Sequence, residues 1–184
     1  MLSGEARAGY VPSERIATYR ELVRLHTHLS DEAAGYQNEI QALIVALFPE
    51  VTQVFADPCL PTALSVLRAY PSAQAIVEAG VEPLYQLLQT HKRVVRYGRP
   101  TARKLVALAK PSASSGRALP GRSLSLRILC DQLEHTKANL ARLNAEIEQL
   151  LSSDPGVKGL QQVPEFGPKT VAVLRGSTGG CGAF

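Results

Sequence analysis

Residues 126–150, LRILCDQLEHTKANLARLNAEIEQL, decide the fold class of this chain. Leu126, Leu129, Leu133, Thr136, Leu140, Leu143, Ile147 and Leu150 recur at alternating three- and four-residue steps, with Thr136 as the one polar interruption. Side chains at that spacing share one face of an α-helix, so the stretch predicts a heptad seam. Asp154-Pro155-Gly156 follows as a turn that ends it. A helix with one narrow apolar stripe cannot bury that stripe alone. It needs a second helix of the same chain or a second copy, which points to an antiparallel coiled-coil arm or a dimer seam. Two ordinary neighbours in one bundle are the plainer alternative.

Working outward, a matching helix lies near the start of the chain. Leu22, Leu25, Leu29, Ala33, Tyr36, Ile40, Leu43 and Leu47 follow the same rhythm; Ser13 can cap the helix, Glu14 stands in its first turn and Pro49 stops it. Between the two long helices the reading gives short ones: Thr62 to Ala69, Ala73 to Ala79, Glu82 to His91 and Thr101 to Ala109, broken at Tyr70-Pro71-Ser72, Gly80 and Gly98-Arg99-Pro100. Pro111 to Ser125, PSASSGRALPGRSLS, reads as a flexible basic loop. Val51 to Phe55 is the one strand candidate, and one strand cannot make a sheet. The predicted class is all-α, two long heptad helices bracketing a small helical module.

Charge is distributed unevenly. No Asp or Glu occurs between Glu82 and Asp131, whereas Lys92, Arg93, Arg96, Arg99, Arg103, Lys104, Lys110, Arg117, Arg122 and Arg127 do. That is ten of the chain's twenty Lys and Arg; the other ten stand against sixteen acids, so the overall +4 conceals a separation. A long acid-free basic stretch is the electrostatic footprint of a polyanion partner, and nucleic acid is the expected one. Lys92, Arg93, Arg96, Arg99, Arg103, Lys104, Arg117 and Arg122 are its candidate phosphate contacts. With four Phe, six Tyr and no Trp, stacking platforms are scarce, which favours phosphate contact over base stacking. Cys59, Cys130 and Cys181 form no CxxC pair, so neither a disulfide framework nor a zinc site is expected, and a reducing cytoplasmic location is. The apolar run Ile40 to Phe48 is too short to span a bilayer.

Catalytic signatures are sparse. The acids scatter over helix faces, and neighbours such as Asp31 and Glu32 diverge by roughly 100° on a helix. His26 and His28, two apart, do not face each other. No catalytic residue, metal site or cofactor is assigned. One further motif points to DNA: Val163-Pro164-Glu165-Phe166-Gly167-Pro168-Lys169 between two short apolar stretches. It has the form of a helix-hairpin-helix clamp, in which Gly167 and Lys169 would meet a phosphate at a helix start. Glu165 stands where such a loop usually carries Gly.

These residues together resemble the central part of the "IS one-ten" insertion-sequence transposases, which pair a DEDD, RuvC-like domain with a serine transposase domain. Tyr19-Arg20-Glu21-Leu22-Val23-Arg24, then Gln37 to Leu43 and Phe48-Pro49-Glu50, are similar to the helix leaving the RuvC-like domain. The 126–150 seam is similar to the family's returning coiled-coil arm, and Val163 to Pro168 to the opening of its transposase domain. The resemblance implies a division into residues 1–50 (the departing long helix), 51–110 (a small basic helical module), 111–125 (the loop), 126–153 (the coiled-coil helix) and 154–184 (the start of the transposase domain). It implies DNA transposition, with DNA or a guide RNA and a homodimer partner as binding partners, and Mg2+ for the full-length proteins. The four acids and the serine of that family have no counterparts here, so the expectation is a fragment that binds and dimerises without cutting. A stand-alone helix-hairpin-helix DNA-binding protein and a structural coiled-coil adaptor are the alternatives.

Overall fold

The computed structural model describes residues 14–90, 97–114, 120–153, 170, 172 and 173. Among these residues the protein is all-helical, with six helices and a 3-10 turn and no strand: α1 (Glu14–Leu47), the 3-10 turn Pro49–Gln53, α2 (Pro61–Ala69), α3 (Ala73–Ala79), α4 (Val81–Thr90), α5 (Arg99–Ser114) and α6 (Pro120–Ser152). Chain contacts divide it into two units: residues 1–31 with 138–184, and residues 32–137.

The second unit holds the larger core. Ile40, Ile44, Leu47, Phe48, Val51 and Phe55 from the end of α1 and the turn after it are fully buried or nearly so. Ala63, Leu64, Val66 and Leu67 of α2, Ile76 of α3, Leu84 and Leu88 of α4, and Ala102, Leu105 and Ala109 of α5 are buried as well. Leu126, Cys130 and Leu133 of α6 complete the set. Local chemistry explains the breaks. Pro49 sits at the start of the 3-10 turn and Pro61 at the start of α2, where a missing N–H costs nothing. Ser72 caps α3, its hydroxyl accepting from the Ala75 N–H at 3.2 Å. Gly80 ends α3 at φ 75°, a conformation that side-chain-bearing residues rarely adopt. Val51, the strand candidate, lies in the 3-10 turn instead, because Pro49 starts a turn there and Val51 N–H bonds back to Phe48 O at 3.3 Å.

The segment 111–125 departs from the sequence reading as a loop. α5 runs through Pro111 to Ser114 and α6 starts at Pro120, leaving only 115–119 outside the described residues. Pro111 is tolerated because the carbonyl it leaves without an intrahelical donor belongs to the exposed Ala107, where water can serve it. Pro120 stands at the first position of α6, the one place in a helix that favours it.

In the first unit the beginning of α1 packs against the end of α6. Tyr19, Leu143, Ile147, Leu151 and Ala172 form its buried cluster, with Leu22, Val23, Leu29 and Leu150 packed beside it. The Tyr19 hydroxyl donates to the Leu150 carbonyl at 3.3 Å. Leu29, further along α1, shares a groove with Asn139 and Leu143, earlier on α6. Position rises on one helix as it falls on the other, so the pair is antiparallel.

The seam is therefore used within one chain. Leu126, Leu133, Leu143 and Ile147 are buried, and Thr136 is only 5% exposed. On α1 the predicted stripe holds at Ala33, Ile40 and Leu47, which are buried, and at Leu22 and Leu29, which pack on the cluster, but Leu25 is 45% exposed; Ile16 and Tyr19 are buried and Val23 packs on the cluster beside the predicted positions. The Ser13 cap and the Asp154-Pro155-Gly156 turn lie outside the described residues.

Candidate nucleic-acid interface

Of the basic residues singled out in the sequence, Lys92, Arg93, Arg96 and Arg117 lie outside the described residues, as do Gly167 and Lys169 of the clamp motif. Arg99, Arg103, Lys104 and Arg122 are described, together with Lys110 and Arg127 from the same acid-free stretch. The structure sorts them into two groups.

One group is bound to the protein itself. Lys104 Nζ donates to the Gln53 carbonyl at 2.9 Å, tying α5 to the 3-10 turn. Arg127 Nε donates to the Arg68 carbonyl at 3.2 Å, tying α6 to α2. Arg99 reaches Glu82 Oε1 at 3.1 Å and lies 4.8 Å from the centre of the Tyr85 ring. The acid-free stretch is thus not free of acids in space, since Glu82 of α4 folds against the start of α5.

The other group is exposed and makes no such bond among the described residues: Arg103, Lys110 and Arg122. At 3.6 residues per turn, Arg99, Arg103 and Lys110 fall within about 40° of one another on α5, along about 16 Å of helix. Ala102, Leu105 and Ala109, centred roughly 110° round α5 from that ridge, are buried. That spacing is an amphipathic helix whose outer ridge is cationic. Lys104 projects about 100° away from Arg103, which is why it finds the Gln53 carbonyl instead. Arg122 stands apart, in the first turn of α6, where the helix dipole repels a cation.

The ridge is held rigidly. α5 packs on α3 and α4. The Ser112 hydroxyl donates to Glu50 Oε2 at 2.6 Å, and Gln89 Nε2 donates to the Tyr97 carbonyl at 3.1 Å. Phe55 meets Tyr97 edge to face, ring centres 5.2 Å apart. With Tyr97 engaged by Phe55 and Tyr85 covered by Arg99, both neighbouring rings already have partners within the protein. What the surface offers is cations at fixed spacing, the chemistry that suits a row of phosphates.

A second polar cluster lies where α2 meets α6. The Arg68 guanidinium bonds Glu134, and its Nε sits 2.8 Å from Asp131 Oδ1, near enough for an ion pair but not aligned as a hydrogen bond. The hydrogen bond that Arg68 donates to Glu134 pushes the Arg68 pKa above its ordinary value. Lys137 Nζ donates to the Cys59 carbonyl at 2.8 Å. Cys59 and Cys130 are both buried and free. Burial pushes the Cys130 thiol up to about 12 and raises that of Cys59 as well, so neither is a ready nucleophile. Among the described residues no three His, Cys, Asp or Glu come together to hold a metal ion. His26 shares a turn with Ser30, whose hydroxyl lies 3.2 Å from its Nδ1. No described helix is long and apolar enough to cross a membrane.

In comparisons with family models, curated proteins and solved structures, nothing matches this chain. The site rests on its own geometry.

Proposed function

We propose that this chain supplies a helical nucleic-acid-binding part of a DNA-transposition protein of the family it resembles, acting in the cytoplasm. It grips the phosphate backbone of DNA or of a guide RNA through the outer ridge of α5. The observation that carries this reading is the pair Arg103 and Lys110: exposed, unpaired among the described residues and on one face of a helix whose buried side is anchored in the core. Evolving such a ridge only for solubility would not require cations without interspersed acids. Arg99 extends the ridge and is held in place by Glu82 and Tyr85. Contacts of this kind fix a backbone without reading sequence.

Salt titration of binding to a duplex of arbitrary sequence tests the reading. Affinity should fall steeply between roughly 50 and 200 mM salt, and Arg103→Ala with Lys110→Ala should lower the log–log slope by about two units. Binding that ignores salt, or a slope that the double substitution leaves unchanged, overturns it.

A further inference from the structure

Of the three ridge cations on α5, Arg99 alone has an acid against it among the described residues. Its Nη2 donates to Glu82 Oε1 at 3.1 Å. The contact has the marks of one that gives way. A single guanidinium nitrogen meets a single carboxylate oxygen, at a distance beyond the roughly 2.7–2.9 Å of a strong charge-assisted bond. Both side chains are more than half exposed, Arg99 57% and Glu82 54%, and a pair so open to water favours its closed form by no more than about fivefold. The Arg99 guanidinium also lies 4.8 Å from the centre of the Tyr85 ring, a contact that needs no carboxylate. Arg99 therefore keeps its place when Glu82 lets go. Glu82 stands in the first turn of α4, where the helix dipole favours its charge with or without a partner.

We propose that Glu82 is a built-in competitor for the ridge: its carboxylate holds the position of a backbone phosphate on Arg99 and is displaced when nucleic acid docks. The inference rests on the reading of the ridge as a phosphate grip. Arg103, one turn and about 6 Å along the helix from Arg99, and Lys110 beyond it meet the polyanion without displacing anything. Their contacts raise the effective concentration of a further phosphate beside Arg99. That phosphate offers two oxygens to the guanidinium fork where Glu82 offers one. A lone phosphate would have to unseat Glu82 unaided, so the acid tilts the site toward long chains. Arg99 exchanges one anion for another and releases no net counterion. The salt dependence of the wild type therefore counts Arg103 and Lys110 but not Arg99.

The test is fluorescence anisotropy of a labelled duplex of arbitrary sequence over a salt series, with circular dichroism to verify helix content. Glu82→Gln keeps the shape of the side chain and removes its charge. Binding should tighten about fivefold at roughly 50 mM salt, and the log–log slope should steepen by about one unit. Adding Arg99→Ala should return the slope to its wild-type value. Glu78→Gln removes an exposed acid of α3 that is bonded to Gln74 rather than to a ridge cation, and it should leave the slope unchanged. Inorganic phosphate should compete with the duplex more strongly on Glu82→Gln than on the wild type. Weaker binding by Glu82→Gln would make Glu82 a prop for Arg99 and overturn the proposal; so would an unchanged slope, or an equal steepening by Glu78→Gln. Arg103→Ala with Lys110→Ala separates the two readings. If that pair lowers the slope and Glu82→Gln does not raise it, the competitor falls and the grip stands; if neither moves the slope, both fall.

Discussion

The two units differ in how they bury the same kind of residue. In residues 32–137, short helices surround a core drawn from six helices and a turn, so Phe48, Leu64, Leu105 and Leu133 are each enclosed on all sides. In the first unit two helices meet along one line, and side chains such as Leu22, Leu29 and Leu150 stay partly open. A stripe facing a single partner helix can be only half covered, whereas a helix inside a cluster is covered from several directions. One unit, the platform, is therefore closely packed, and the other, the arm, keeps part of its apolar stripe open.

Large-to-small substitutions should expose that difference most sharply. Phe48→Ala in the platform is expected to cost about 3–5 kcal/mol, and Leu143→Ala in the arm, which is 7% exposed, nearer about 2 kcal/mol, measured by urea unfolding. Equal costs would mean that the arm is as densely packed as the platform.

Alkaline pH should strain the platform next. Cys130 has its pKa pushed up to about 12 by burial, above the ordinary thiol value of about 8.5 of the unfolded chain. Folding therefore favours the protonated thiol. That contribution is whole below about pH 8.5 and is lost as pH rises toward 12, on the order of 2 kcal/mol by pH 10.5. Cys130→Ala should flatten this alkaline limb, and a thiol reagent at pH 8 should leave Cys130 unmodified until the protein unfolds.

Smaller effects come from polar ties. Arg68→Leu removes the bonds to Glu134 and Asp131 that join α2 to α6; with its side chain 37% exposed, the expected loss is about 1 kcal/mol. Tyr19→Phe deletes the hydroxyl that donates to the Leu150 carbonyl at 3.3 Å and should cost about 0.5–1 kcal/mol in the arm. If Tyr19→Phe proved the costlier of the two, the hydroxyl rather than the ring would be what holds the arm together.

Periodicity made the helices legible. The α6 seam matched the buried positions Leu126, Leu133, Thr136, Leu143 and Ile147, with Leu129, Leu140 and Leu150 half-buried, because residues three and four apart share a helix face in any context. Turn chemistry placed the breaks at Pro49, Ser72 and Gly80 for similarly local reasons. One position of early α1 was not legible: Leu25 repeats as regularly as Leu22 and Leu29, yet it is 45% exposed while they pack on the Tyr19 cluster. Pro111 misled, since its cost in a helix depends on whether the carbonyl it strands can reach water. The basic stretch was plain in the sequence, but its division into ties and free cations was not. Lys104 and Arg127 bond carbonyls 51 and 59 residues distant, and Arg99 finds an acid 17 residues away.

The sequence by itself determined an all-helical chain, its breaks and a concentration of positive charge, because those follow from dihedral preferences, side-chain spacing and composition. Only the tertiary structure decided that Leu25 of α1 stays exposed, which cations remain available on α5, and that the buried positions of the heptad seam are covered by its own chain. Each of these depends on what a side chain meets across space, and contacts between residues far apart in sequence leave no periodic mark on either of them.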